Sequence, residues 1–123
     1  MKQYEAINII SKAIIEDGLV DACYLKGSIA RQEEDEYSDV DLYCLVNKDK
    51  VDSFLKKRLT YLETYQPILF SEEVNFVGPQ IVCIFENGLH FDLYLQTKER
   101  FSQKDKILII YDPYSFIIVP NFV

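Results

Sequence analysis

The sequence predicts an α/β (α+β) domain, a mixed β-sheet flanked by helices. Three observations carry that expectation. Patterns run in the order helix, strand, helix, strand, helix and then several strands. Helical apolar spacing near the N-terminus gives way to short apolar or alternating runs. The 123 residues are 49% hydrophobic and 27% charged, a globular balance in a length suited to one domain, residues 1–123.

Each element has its own signal. Ala6, Ile7, Ile10, Ala13 and Ile14 fall at helical spacing over residues 3–16, and Gly18 can end that helix in a left-handed conformation. Leu19 to Lys26 reads as a strand, interrupted by Gly27-Ser28. Residues 29–37 read as a short helix or turn followed by a solvated acidic loop, Glu33 to Glu36. Val40 to Val46 is a second strand. Asp49 is placed to cap a helix running to about Thr64. Val51, Phe54, Leu55, Leu59 and Leu62 share one side of it, with Lys56, Lys57 and Arg58 on a solvated face. Pro67 blocks continuation. Glu73 to Val77 reads as a strand and Gly78-Pro79 as a turn. Ile81 to Glu86 and Leu89 to Leu95 flank Asn87-Gly88, a two-residue hairpin signal. Ile107 to Tyr111 and Ser115 to Val119 read as short strands around a turn at Asp112-Pro113. The nine tyrosines are scattered without stacking periodicity and read as core and rim residues.

Composition narrows the function. Asp and Glu total 20 against 13 Lys and Arg, a net charge of −7. With no basic run, general nucleic-acid binding is disfavoured, because phosphate contacts supply most of that affinity. Cys23, Cys44 and Cys83 are odd in number, widely spaced and set in apolar runs, which fits reduced thiols in a cytoplasmic protein. One histidine and no paired cysteines leave no zinc pattern. The apolar stretches are far too short to span a membrane, and the N-terminus lacks a signal-peptide core.

The chemistry concentrates in Gly27-Ser28, ten residues, then Asp39-Val40-Asp41. Alternation along a strand points Asp39 and Asp41 the same way, about 7 Å apart. Paired carboxylates of this kind suit Mg²⁺, held together with substrate phosphates. Gly27-Ser28 offers a hydroxyl, backbone amides and a glycine that lets phosphate approach closely. A calcium loop does not fit, since Tyr43 and Cys44 stand where an oxygen ligand and a glycine are needed. His90, Asp92 and Tyr94 share a strand face. By itself Asp92 fits a solvent-facing strand as well as a site; beside the other pair, a third converging carboxylate explains it better. His90 on its own reads as a surface histidine near the site.

These residues resemble a known family. Leu25-Lys26-Gly27-Ser28-Ile29-Ala30-Arg31 followed by Ser38-Asp39-Val40-Asp41-Leu42 is similar to the signature of the DNA polymerase β-like nucleotidyltransferase superfamily. The spacing looks most like the small bacterial members, the minimal nucleotidyltransferases paired with HEPN proteins and the relatives that adenylylate aminoglycosides. Phe91-Asp92-Leu93 looks like the family's third-carboxylate strand, and Ile107 to Pro113 like its strand-and-turn ending.

The resemblance implies a nucleotidyltransferase fold and Mg²⁺-dependent transfer of AMP from ATP, or another nucleoside monophosphate from its triphosphate, to an acceptor hydroxyl. It implies that Gly27, Ser28 and Arg31 bind the nucleotide, that Asp39, Asp41 and Asp92 are catalytic and hold metal, and that Asp92 is the base. The acceptor is a small molecule or a partner protein, a HEPN-type helical partner among them. Two departures stand out: Gln32 replaces a glycine common after the arginine, and the following loop is acidic enough to repel a triphosphate if it folded inward. Antibiotic-modifying relatives carry a further helical domain, so the chain reads either as a single domain or as the N-terminal part of a longer architecture. The alternative function is a catalytically inactive relative acting as a partner-binding or nucleotide-sensing module, antitoxin-like.

Overall fold

The computed structural model describes residues 1–76, 78–101 and 106–117. The elements are α1 (Lys2–Asp17), β1 (Val20–Lys26), α2 (Gly27–Ala30), β2 (Val40–Val46), α3 (Val51–Glu63), β3 (Ile68–Asn75), β4 (Pro79–Phe85), β5 (His90–Gln96) and β6 (Leu108–Tyr111). Among the described residues six strands form one sheet in the order β3-β4-β5-β2-β1-β6. Strands β2 and β5 run parallel; the other neighbours are antiparallel.

The two sheet faces have different fates. One face buries Leu25, Leu42, Cys44, Phe85, Phe91 and Leu93 against Ala6, Ile10 and Ile14 of α1 and Phe54 and Leu62 of α3. Each large apolar side chain removed from water there contributes about 1.5–3 kcal/mol. By alternation, the opposite face carries Asp41, Tyr43, Asp92 and Tyr94, none of them fully buried. At one side of that face Ala22, Tyr24 and Leu45 are covered by Ile117, Phe101 and Phe116. The helices thus leave an open sheet face, and the acidic residues lie on it.

Most element assignments from sequence hold, with informative exceptions. Gly18 ends α1 at φ 77°, its N–H donating to the Ile15 carbonyl. Asp49 caps no helix; the Asn47 side chain accepts from the Asp49 N–H and starts a short 3₁₀ turn ahead of α3. Arg58 is not on a solvated face: it is 6% exposed and its guanidinium reaches Glu73 at 2.9 Å, while Leu59 is the exposed residue. Strand β3 begins at Ile68, five residues before the expected start. It is an edge strand exposed on both faces, Leu69 and Phe70 included, so it lacks the alternation that marks a half-buried strand.

Pro79 opens β4 instead of completing a turn, as a proline can at a strand's first residue. The β4–β5 connection is a three-residue loop with a bulge. The Gly88 N–H donates to Phe85 O at 2.9 Å, the Phe85 N–H donates to Leu89 O at 3.0 Å, and Gly88 has φ 86°. Of the expected strand Ser115 to Val119, the residues 115–117 are irregular, with the Asp112 carboxylate accepting from the Phe116 and Ile117 N–H groups. Its last two residues, like Val77 of another expected strand, lie outside the described residues.

Candidate active site

Strand β1 ends where β2 begins its polar half, with Lys26 paired to Asp41. The chain then turns at Gly27, φ 78°, into the four-residue helix α2. A Cβ at Gly27 would stand 2.6 Å from Asp41 Oδ2. Glycine is therefore demanded twice, by the left-handed backbone and by the carboxylate pressed against its Cα. Ser28 follows, half-buried, and its carbonyl accepts from the Glu33 N–H at 2.9 Å. Ser28 N–H and its successors lie in the first helical turn, where amides have no helical acceptor.

The parallel pairing of β2 and β5 sets Asp41 directly opposite Asp92, on strands about 4.8 Å apart. The two carboxyl groups are close enough for each to perturb the other's titration. Burial, then the Asp41 and Asp39 charges, push the Asp92 carboxyl up to about 7. Burial foremost, then Asp39, raise Asp41 as well, against hydrogen bonds from Asp92 and Tyr94. The Tyr94 hydroxyl lies 3.4 Å from Asp41 Oδ1.

Asp39 lies one residue ahead of β2 and is exposed, so it is not the second residue of a strand pair. The expected triad is thus a tight pair, Asp41 and Asp92, with Asp39 at its rim. Among the described residues no three acidic, histidine or cysteine side chains are gathered into a ready metal cluster. The donor set nevertheless suits a hard divalent cation: oxygen ligands, crowded negative charge, and a glycine that keeps the approach open.

Arg31 is exposed, and its Nε donates to Glu33 Oε2 at 3.1 Å. Its charge still reaches Asp41, lowering that carboxyl. Gln32, the residue after Arg31, has φ 59°, in the left-handed region that favours glycine. The acidic loop is tied down. Glu33 engages Arg31, Glu34 accepts from the Tyr4 hydroxyl, and Asp35 Oδ1 accepts from the Tyr37 N–H. His90 is exposed and lines a cleft of about 290 Å³ with Asp39, Ser38 and Lys2.

The tyrosines are not scattered in space. Tyr24, Tyr43 and Tyr94 are register partners across β1, β2 and β5. Their rings stack at 5.2 Å between Tyr24 and Tyr43 and 4.1 Å between Tyr43 and Tyr94. The signal was the repeated Asp-x-Tyr at Asp41/Tyr43 and Asp92/Tyr94, which puts both tyrosines on the carboxylate face. Gln3, described below, had no such signal.

Residues 7–114 match the family model of the nucleotidyltransferase domain. The chain belongs to that nucleotidyltransferase family. Its mixed sheet and helices are the nucleotidyltransferase fold, and transfer of a nucleotidyl group is the activity such a domain supports. Domains of this kind generally use divalent metal. No curated protein matches the chain. No helix among the described residues is long and apolar enough to cross a membrane.

Proposed function

We propose that this nucleotidyltransferase moves a nucleoside monophosphate, AMP from ATP in the first instance, to an acceptor hydroxyl on a small molecule or a protein, with Mg²⁺. The observation that carries the reading is the Asp41–Asp92 pair beside Gly27. Two register-paired carboxyls, both raised by burial first, next to a glycine with no room for a side chain, suit a cation–phosphate complex. A bound divalent ion supplies charge neutralisation for the triphosphate and for the developing transition state.

The chain's own residues do the rest. Gly27 and Ser28 cradle phosphate oxygens with amides and a hydroxyl, and Arg31 adds positive charge on leaving Glu33, a surface pair of little strength. Asp39, Asp41 and Asp92 are the ligand oxygens. Asp92 takes the acceptor's proton as the acceptor oxygen bonds to the α-phosphorus and pyrophosphate departs. In the metal-free protein burial and the neighbouring carboxylates hold that carboxyl at about 7. Three buried free thiols are in keeping with a reducing, cytoplasmic setting.

The test is thermal shift with ATP, with and without Mg²⁺, on the wild type and on Asp41→Asn. Stabilisation is expected only for the wild type with metal, with transfer abolished in a folded Asp41→Asn. Equal stabilisation without metal, or wild-type turnover by Asp41→Asn, overturns the reading.

A further inference from the structure

The first turn of α1 reaches the two segments that deliver the carboxylates. Lys2 Nζ donates to the Asn87 carbonyl at 3.1 Å, in the hairpin that leads into β5 and Asp92. Tyr4 donates through its hydroxyl to Glu34. Between them Gln3 is fully buried. Its Nε2 donates both hydrogens across more than thirty residues of sequence, to the Asp35 carbonyl at 3.0 Å and the Ser38 carbonyl at 3.1 Å. The Ser38 carbonyl belongs to the peptide bond that joins Ser38 to Asp39.

A buried amide is an unusual choice here. The rest of the buried stripe of α1 is Ala6, Ile7, Ile10, Ser11 and Ile14. Gln3 Oε1 has no hydrogen-bond partner. An orphaned buried acceptor is destabilising, a cost that an apolar side chain would not carry. What the amide does that an apolar chain cannot is fasten two carbonyls of one loop.

That loop needs fastening. Residues 31–39 hold themselves with local bonds: the Ser38 N–H to Asp35 O at 3.2 Å, the Asp35 N–H to Ser38 Oγ at 2.9 Å, and the Tyr37 N–H to Asp35 Oδ1 at 2.9 Å. These shape the turn but do not anchor it to the body. Among the described residues the side-chain anchors from α1 are Gln3 and Tyr4, and Asp39 precedes the strand pairing that would otherwise hold it.

We propose that Gln3 is a positioning residue: its amide pins the Ser38–Asp39 peptide and so sets Asp39 against the Asp41–Asp92 pair for metal–nucleotide binding. The inference rests on the nucleotidyl-transfer reading above for the ligand, and on the hydrogen bonds alone for the clamp. Removing an outer contact that orients a ligand carboxylate typically weakens metal binding by about tenfold or more.

The experiment compares the full chain with Gln3→Met, which keeps length and helix propensity but has no donor. Two readouts are taken: amide hydrogen exchange over residues 33–39, and the Mg²⁺ concentration that half-saturates ATP binding by calorimetry. The clamp predicts faster exchange in 33–39 with α3 and β4 unchanged, and an Mg²⁺ midpoint raised about tenfold in protein that is still folded. A purely structural Gln3 lowers the melting temperature and leaves the Mg²⁺ midpoint of the folded protein alone; that result overturns the proposal, as does unchanged exchange. Should Gln3→Met fold poorly, Gln3→Asn keeps the amide but shortens its reach, and the same readouts decide. Wild-type protein that fails to bind Mg-ATP refutes the nucleotide reading, and with it the metal arm of the proposal; the exchange arm then separately decides the clamp.

Discussion

Replacing Asp92 with asparagine should stabilise the metal-free protein at neutral and alkaline pH and leave it nearly unchanged near pH 4. The folded chain holds the Asp92 proton more tightly than the unfolded chain, first because burial disfavours the ionised carboxylate and then because ionisation places a second charge beside Asp41. A raised carboxyl contributes stability that is complete below its unfolded value and is lost as pH climbs through the folded one. The window therefore runs from 3.8 to about 7. At about 1.4 kcal/mol per pH unit that interval corresponds to roughly 4 kcal/mol. Solvent still reaches the carboxyl, so screening reduces the expectation to about 2 kcal/mol. The variant also relieves Asp41, so the figure belongs to the pair. The assay is urea unfolding in EDTA, followed by far-ultraviolet circular dichroism, at pH 4.5, 6, 7 and 8. The difference between variant and wild type should grow steadily in favour of the Asp92→Asn protein. A constant difference, or one that shrinks with pH, refutes the account of a buried carboxyl raised further by its acidic neighbours.

Other outcomes follow from the same geometry. Gly27→Ala should destabilise the fold by about 1–3 kcal/mol through the left-handed backbone and abolish Mg-ATP binding as its methyl meets Asp41 Oδ2, read by urea midpoint and calorimetry. Asp92→Ala should lower kcat by about a hundredfold or more while Mg-ATP affinity changes much less; equal loss of both would make Asp92 chiefly a metal ligand. Arg58→Ala should lose about 2 kcal/mol in chemical denaturation, from packing and from bonds to the Leu55 carbonyl and Glu73, with no effect on nucleotide affinity.

The motif was legible because it is short-range chemistry. Gly27, Ser28, Asp39 and Asp41 lie within fifteen residues, and a glycine followed at fixed distance by two carboxylates constrains the backbone strongly. Helix α1 was equally clear, since its apolar stripe and Gly18 agree. What sequence hid depends on partners. Arg58 shares a helix face with Lys56 and Lys57 on paper, but Glu73 on the edge strand draws its head inward along the core. The start of β3 has no alternation to detect, because neither of its faces is buried. The tyrosine stack comes from registers among three strands, two of them joined in parallel after some fifty residues of chain, which no periodicity along the sequence reveals. Gln3 gives least away: a polar residue at a helix start is ordinary until the loop it holds is seen.

The parallel junction of β2 and β5 also governs when the site can exist. Asp41 and Asp92 become neighbours only after α3, β3 and β4 have been laid down and the chain has returned to the sheet's centre. Contacts of such sequence separation form slowly, since a large loop must close before they repay it. A chain emerging from synthesis therefore carries the glycine-serine turn and two of its three acids long before it has a working centre. On the proposed reading, the base joins the metal-holding residues only in the finished sheet.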